Sequence, residues 1–322
     1  MVSAVDSPPD LTTHDPTTPT SRKLTTWTKI KRERWMYLFT LPGLVFILLF
    51  MYVPLLGNVV AFQDYSPYTG FSGSPWVGFQ NFIDLFADPD VATALRNTLI
   101  ISFLQLILFF PAPIGLALLL NSVISGKLRR VIQSIVYLPH FIGWVILVSL
   151  WTTVLGGSGL LNGLLREYGL PSINIMANPT FFPFLMVLQD IWKNIGWGTI
   201  IFLAALTTID DNLYEAAVVD GAGRWRRLWH VTLPGIRGVI ILLLILRLGS
   251  ILTVGFEQIL LQQPAVGADA GQVLDTYVYF QGVLGGNWGL STAVGLLKGV
   301  VGTAMVLGAN KLAHKFGEPG IL

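Results

Sequence analysis

The feature that most constrains this sequence is a set of six apolar runs, each long enough to cross a lipid bilayer. A crossing helix needs about 20 mostly apolar residues. The runs cover approximately 38–62, 98–120, 131–155, 181–206, 236–261 and 290–312. In hydrocarbon the backbone must bond to itself, so these runs are predicted to be helices and not strands. The sequence therefore predicts an all-α integral membrane protein with six transmembrane helices in the cell membrane.

The composition excludes several other classes of protein. Charged residues make up 12% of the chain, and 53% of the residues are hydrophobic. A soluble domain carries about 25% charged residues, so this chain has too few to cover a water-facing surface. Cysteine is absent, which excludes disulfides and cysteine-ligated zinc. The net charge of +2 gives no reason to expect a nucleic-acid partner.

The lysines and arginines between the runs predict the orientation of the chain. With the N-terminus inside, 15 lie on the cytoplasmic side, and only Arg96 and Arg166 lie on the other. The 15 are Arg22, Lys23, Lys29, Lys31, Arg32, Arg34, Lys127, Arg129, Arg130, Arg224, Arg226, Arg227, Arg237, Lys311 and Lys315. This asymmetry satisfies the positive-inside rule and predicts that both termini are cytoplasmic. The outer loops, approximately 63–96, 156–180 and 263–289, are either simple connections or docking surfaces for an external partner.

The segment 207–238 between the fourth and fifth runs is predicted to fold as two short helices. Asp210 or Asp211 can cap the start of a helix over 212–219. Gly221 and Gly223 can supply the left-handed turn that ends it. A second helix is predicted over 224–231, and Pro234 suits the first turn of the next membrane helix.

Two interpretations of this segment remain open from pattern alone. In the first, Trp225 and Leu228 form an apolar anchor for a partner protein, and acidic side chains attract basic groups of that partner. In the second, the arginines hold an amphipathic loop against anionic lipid headgroups.

A longer pattern in the same segment resembles a known family. Residues 215–234 read E-A-A-x-x-D-G-A-x-x-W-x-x-L-x-x-x-x-L-P, which resembles the EAA motif of permease subunits of binding-protein-dependent ABC importers, in the version of the carbohydrate branch. In the N-terminal half, LPGLVFILLFMYVPLLGNVVAFQDYSP and WVGFQNFIDLFADPDVATALRNT are similar to oligosaccharide permeases of the LplB type. One departure is Asp210, where many relatives have proline, but aspartate also caps a helix.

The resemblance implies a type I ABC importer permease whose segment 207–235 is the coupling segment that docks on a cytoplasmic ATPase. The residues expected to meet the ATPase are Glu215, Ala216, Ala217, Asp220, Gly221, Ala222, Trp225 and Leu228. The expected partners are a second and different permease chain, two ATPase subunits that bind ATP and magnesium, and an extracytoplasmic solute-binding protein. No cofactor is expected in this chain, which has no GxxxxGK[ST] motif and is not expected to be an enzyme.

We expect four regions along the chain. They are a disordered cytoplasmic tail at 1–34, a first helix and outer loop at 35–96, the transport core at 97–312 and a second cytoplasmic tail at 313–322. The resemblance implies transport of a sugar or oligosaccharide. An ABC importer for a non-sugar solute, an ion-driven secondary transporter and a membrane-embedded enzyme are the alternatives, although paired broken helices and a convergent acid–base or metal set are not evident.

Ionisable residues inside predicted membrane helices are functional candidates, because burying a charge in lipid is costly. Asp190, Lys193, Asn194 and Trp197 share one face of the fourth run. One hypothesis gives them, together with Gln258, a sugar path of hydroxyl-binding and ring-stacking groups. The alternatives are that Asp190 and Lys193 neutralise each other, or that they lie near the outer interface.

Two further cations lie inside predicted helices. Arg247, Val254 and Gln258 form a stripe on the fifth run, for which packing and hydrogen bonding between helices is the favoured interpretation. Lys298 in the last run faces either a water-filled path or a partner subunit.

Overall fold

The computed structural model describes residues 33–318 and 320–321, and this part of the chain is built from helices. The only strand-like pairing within it is one isolated bridge between Gln63 and Trp76. The predicted tail at 1–34 falls almost wholly outside the described residues. The described part of the chain divides into two compact units, with the boundary between Gly57 and Asn58.

The first apolar run forms helix α1, Arg34–Phe62. It begins as an α-helix, changes to a π-helix at Leu48–Tyr52 and ends as a 3-10 helix at Val53–Phe62. No residue from Arg34 to Tyr52 is buried, so this apolar surface requires an apolar solvent.

A short turn, Gly70–Gly73, and helix α2, Gln80–Ala87, precede the second run. Helix α3, Pro89–Asn121, starts at Asp88, whose side chain accepts a hydrogen bond from the backbone N–H of Asp90 at 2.8 Å. A π-helical turn at Gln105–Phe109 interrupts α3 just before Pro111. Proline cannot donate the next helical hydrogen bond, and the wider turn accommodates that loss.

The third run is not the single helix that the sequence predicts. It is divided into α4, Gly126–Tyr137, a 3-10 turn at Leu138–Phe141, and α5, Trp144–Leu155; a further short helix, α6, follows at Leu160–Glu167. Pro139 lacks a backbone N–H and disfavours helix at the preceding residue, so the apolar run cannot continue as one α-helix. Apolar residues occur on both sides of this break and form one continuous run, so hydropathy did not reveal it.

Helix α7, Phe182–Leu206, lies at the centre of the second unit and packs against α3 and α4. Gly196 makes the contact with α4 possible, because a Cβ atom there would overlap the backbone of Val136. Phe182, Leu185 and Met186 at the start of α7 join Ile101 and Ile259 in the largest buried apolar cluster.

The segment after α7 forms α8, Asp211–Val219, and α9, Arg224–Gly235. Helix α10, Arg237–Gly249, follows at an angle of 60° to α9. Residues 250–255 then leave the helix before α11, Phe256–Val266, so the prediction of one helix over 236–261 is wrong. Gly255, the residue before α11, has φ +105°, a conformation that a side chain would strain.

The chain closes with short helices at Ala268–Gly271 and α12, Leu274–Val278, a π-helical turn at Tyr279–Leu284, and the long helix α13, Trp288–Lys315. Helix α13 packs along α10 through close contact of Gly302 with the Gly249 backbone. The predicted outer loops therefore contain several short helices.

By length and composition, four described helical stretches could span a membrane, or five if the bent pair α9 and α10 counts as one. They are Arg34–Phe62, Pro89–Asn121, Trp144–Glu167 and Trp288–Lys315. Helix α7 has 25 residues but carries Gln189, Asp190, Lys193 and Asn194, which reduce its apolar character.

Candidate functional site: an exposed two-helix segment and an interhelical polar network

The two-helix segment, Asp211–Gly235, is defined at both ends of α8 by local hydrogen bonds. The Asp210 carboxylate accepts a bond from the backbone N–H of Asn212 at 2.9 Å, which confirms it as the cap. Gly221, with φ +73°, allows the N–H of Ala222 to reach the carbonyl oxygen of Ala217 at 2.8 Å. Gly223 is extended instead and precedes α9, so only the first of the two predicted glycines makes the left-handed turn.

The underside of the segment is attached to the helix bundle. The Tyr214 hydroxyl lies 3.0 Å from the Thr232 hydroxyl and links α8 to α9. Ile236 at the bend is buried in a cluster with Leu206 of α7 and Ala117 of α3. Displacement of the segment must therefore be resisted by, or transmitted to, the helices beneath it.

The outer face of the segment is exposed and partly apolar. Trp225 is 75% exposed and Val219 is 87% exposed, and Trp229 is also exposed. Of the predicted docking residues, Glu215, Ala216, Asp220, Gly221 and Trp225 are exposed, whereas Ala217, Ala222 and Leu228 are half-buried. Large exposed apolar side chains grouped on a rigid segment are typical of a protein interaction surface.

The interhelical polar network joins α3, α7, α10 and the turn between α4 and α5. An Arg247 Nη atom donates to Gln105 Oε1 at 2.6 Å, and the Gln105 amide donates to Asp190 at 3.3 Å. Asn194 donates to Asp190 at 2.7 Å, and its amide oxygen lies 2.8 Å from His140 Nδ1. The network satisfies charged groups among apolar helices, and the bond of Arg247 to another helix confirms the packing interpretation of that residue.

Trp197 completes one end of the network. The His140 ring stacks on the Trp197 ring, with centroids 4.5 Å apart and an interplanar angle of 4°. Asp190, Asn194 and Trp197 thus lie together as the spacing on α7 predicts. Gln105 and His140 were not predicted: Gln105 enters through a π-helical turn, whereas the only signal for His140 was that it follows Pro139.

Lys193 is separate from this network and caps the break between α4 and α5. Its Nζ donates to the carbonyl oxygens of Pro139, His140 and Ile142 at 3.4, 2.8 and 2.5 Å. Within the described residues Lys193 makes no ion pair with Asp190, so mutual neutralisation of the two is not what this structure shows.

Gln258 also lies apart from the network, in a buried glutamine cluster with Gln189 and Gln262. Its amide donates to Gln189 Oε1 at 2.9 Å and to the Met186 carbonyl at 2.9 Å, and the residue is 1% exposed. Gln262 donates to the same Gln189 oxygen at 2.9 Å. This cluster joins α7 to α11.

Polar contacts also fix the opposite end of the bundle from the two-helix segment. The Asn97 amide donates to the carbonyl oxygens of Asp269 and Gln272, both at 2.9 Å. The Tyr277 hydroxyl donates to Asp88 at 2.6 Å, and burial together with this carboxylate raises the pKa of Tyr277. Lys298 forms an ion pair with Asp275, so its partner lies within this chain.

Comparison with known proteins gives consistent matches. The family described as binding-protein-dependent transport system inner membrane component matches residues 110–316. Protein LplB of Bacillus subtilis (strain 168) is 48% identical over 295 residues, covering 91% of this chain and 92% of that protein. The polygalacturonan/rhamnogalacturonan transport system permease protein YteP of the same strain is also 48% identical, over 294 residues, with coverage of 91% and 92%.

Among solved structures, a chain of a bacterial alginate ABC transporter in complex with an alginate pentasaccharide-bound periplasmic protein is similar throughout. Its TM-score is 0.84 at 38% sequence identity, and the match covers 92% of this chain and 99% of that chain.

Proposed function

This chain belongs to the family of inner membrane components of binding-protein-dependent transport systems, and we propose that it is one permease half of an ATP-driven importer of oligosaccharides. Its fold is the all-helical fold of type I ABC permeases. The proposed solute class rests on the relatives, whose names refer to polygalacturonan, rhamnogalacturonan and alginate.

The proposed topology has six crossings with both termini in the cytoplasm. The basic residues at the start of α4 and those of α9 line cavities that share Asn121, so both groups lie at one end of the bundle. Arg237 and Glu318, which lies near the end of the sequence, form an ion pair beside the bend between α9 and α10. This clustering of positive charge supports the cytoplasmic assignment of the end that carries α8 and α9.

The observation that carries the proposal is the exposed face of the two-helix segment. It presents Trp225 and the Glu215 carboxylate outward, while Tyr214 and Ile236 fix its underside to the bundle. In the proposed mechanism this face docks on an ATPase subunit, which binds ATP and magnesium. Closure of two ATPases moves the segment, and two permease halves rock between inward-open and outward-open states.

The solute would arrive from an extracytoplasmic binding protein and pass between this chain and a second permease. For the path we propose Asp190, Asn194 and Trp197, which combine carboxylate, amide and aromatic groups on one face. Lys193 and Gln258 would lie behind this path, because both are buried, whereas Asp190 and Asn194 are half-buried and Trp197 is exposed.

The test is transport in proteoliposomes together with co-purification of the ATPase. Glu215→Lys reverses an exposed charge on the docking face and is expected to abolish ATP-dependent uptake and ATPase co-purification, while the chain still reaches the membrane. Glu167→Lys makes the same change at an exposed position on α6 and serves as the matched control. Normal uptake by Glu215→Lys, or uptake that needs no ATP, would contradict the proposed function.

A further inference from the structure

His140 lies in the turn that divides the third apolar run into α4 and α5. A helix of 12 residues precedes the turn, and another of 12 residues follows it. At 1.5 Å per residue, each helix extends about 18 Å away from the turn. In the proposed topology His140 therefore lies within the thickness of the bilayer, where a polar side chain needs water or a polar partner.

The hydrogen bonds around His140 determine which of its ring nitrogens carries the proton. The Asn194 amide nitrogen donates to the Asp190 carboxylate at 2.7 Å, which directs the amide oxygen toward His140. An amide oxygen only accepts hydrogen bonds, so the Nδ1 atom of His140, 2.8 Å away, is the donor. In the neutral ring Nε2 then carries no proton and is a hydrogen-bond acceptor.

The Nε2 atom of His140 is accessible and has no partner among the described residues. It makes no hydrogen bond there, and it is not one of the buried polar atoms that lack a partner in that part of the chain. The residue as a whole is half-buried. The acceptor therefore faces a space that a group from outside this chain can enter. Hydrocarbon cannot supply a donor to it, whereas a hydroxylated solute or water can.

Aromatic rings with exposed surface flank this acceptor. The His140 ring stacks on Trp197, and Phe141 lies edge-on to both rings, at centroid distances of 5.5 Å from His140 and 6.1 Å from Trp197. Trp197 is 49% exposed and Phe141 is 72% exposed. Such rings offer apolar contact to the C–H groups of a sugar, and the imidazole nitrogen beside them offers one directed polar contact.

We propose that His140 is a further contact residue of the solute path and that its Nε2 atom accepts a hydrogen bond from a sugar hydroxyl group. This inference rests on the proposed function and specifies the chemical group that one position of the path recognises. The series Asp190, Asn194 and His140 holds the ring in its accepting form. The position therefore selects a hydroxyl donor and disfavours an anionic carboxylate, which has no proton to donate.

Two variants of His140 distinguish solute contact from a purely structural role. In His140→Asn the amide nitrogen takes the place of Nδ1, which keeps the bond to Asn194 and removes Nε2. In His140→Gln the amide takes the place of Nε2, which keeps an acceptor for the solute and removes the bond to Asn194. We expect His140→Asn to keep the denaturation midpoint and to lose uptake at least about fivefold. We expect His140→Gln to keep most of the uptake and to have a lower midpoint.

Uptake is measured in proteoliposomes that contain the assembled importer, ATP and the loaded binding protein. The probes are short oligosaccharides of galacturonan and of alginate, and the one that the wild type imports fastest is used for the variants. Denaturation midpoints are measured on the same preparations in detergent.

Chemical modification of the imidazole rings gives a second measurement. Diethyl pyrocarbonate modifies accessible neutral imidazole nitrogens, and mass spectrometry locates the modified residue. The oligosaccharide should protect His140 in the assembled importer. It should not protect His230, whose Nδ1 atom is similarly engaged, 2.9 Å from the carbonyl oxygen of Arg226, at an exposed position of the two-helix segment.

The proposal is overturned by any of three results in a wild-type importer that transports. Full uptake by His140→Asn would show that Nε2 does not meet the solute. Uptake and denaturation midpoint that fall together in both variants would make His140 a structural residue only. Modification of His140 that the oligosaccharide does not slow would place the ring against lipid or the second permease. Absence of any ATP-dependent uptake by the wild type would instead contradict the proposed function, and this inference with it.

Discussion

The Nζ atom of Lys193 lies 2.8 Å from the carbonyl oxygen of His140, although 53 residues separate the two in the chain. The lysine thereby satisfies the carbonyl groups of His140 and Ile142 at the break between α4 and α5. It also approaches the Pro139 carbonyl, which already accepts from the backbone N–H of Ile142. A charge within a long apolar helix can thus be structural, and its location alone does not assign it to a transport path.

Lys193→Met tests this role. The substitution keeps the length of the side chain and removes the donor to three carbonyl oxygens, so we expect a loss of about 3 kcal/mol of stability. The measurement is the thermal denaturation midpoint of the detergent-solubilised protein. Lys127→Met, at an exposed position on α4, is the control. Equal midpoints for the two variants would show that Lys193 does not stabilise the break.

The glutamine cluster predicts a non-additive result. Gln189→Leu removes the oxygen that accepts from both Gln258 and Gln262, leaving two buried amides with one partner fewer. We expect a loss of about 2 kcal/mol, whereas the triple leucine variant should lose less than the sum of the single changes. Denaturation midpoints of the single, double and triple variants measure this. Strict additivity would mean that the three side chains act independently.

The ion pair of Lys298 and Asp275 predicts that a second substitution restores stability lost by the first. Lys298→Met leaves the carboxylate of Asp275 largely buried and without its cation, and we expect a loss of about 3 kcal/mol. The double variant Lys298→Met/Asp275→Leu removes both charges and should recover much of that loss. If the double variant is less stable than Lys298→Met, the pair does not behave as a buried ion pair.

Gly221 and Gly223 form a matched pair for testing the two-helix segment. A Cβ atom meets nothing within 4 Å at either position, but only Gly221 has a positive φ. Gly221→Ala should therefore strain the turn by about 1 kcal/mol and reduce both ATPase co-purification and uptake. Gly223→Ala should leave both close to wild type. Similar losses in both variants would point to a steric effect of the added methyl group and not to the backbone conformation.

Features that depend on neighbouring residues could be predicted from the sequence. The cap at Asp210 and the left-handed turn at Gly221 follow from side-chain and backbone preferences within a few residues. The shared face of Asp190, Asn194 and Trp197 follows from helical periodicity alone. These elements were predicted correctly because no distant contact opposes the local preference.

Features that depend on distant contacts could not be predicted from the sequence. The break in the fifth run stands because Gln105, from another helix, donates to the carbonyl oxygen of Val254 at 3.4 Å, and Ser102 donates to that of Ile251. These bonds satisfy backbone groups that would otherwise be exposed to lipid. Hydropathy records only that the run is apolar, so it cannot distinguish one helix from two supported halves.

The 60° angle between α9 and α10 means that the axes of the two helices point in different directions. Ile236, at the bend between the two helices, is held in the apolar cluster. A force along the axis of α9 would therefore have a larger component perpendicular to the axis of α10 than parallel to it. Helix α10 packs against α13, so a sideways movement of α10 would also push the long helix α13. In the proposed mechanism, a short displacement of the two-helix segment would thus become a lateral tilt of α10 and α13.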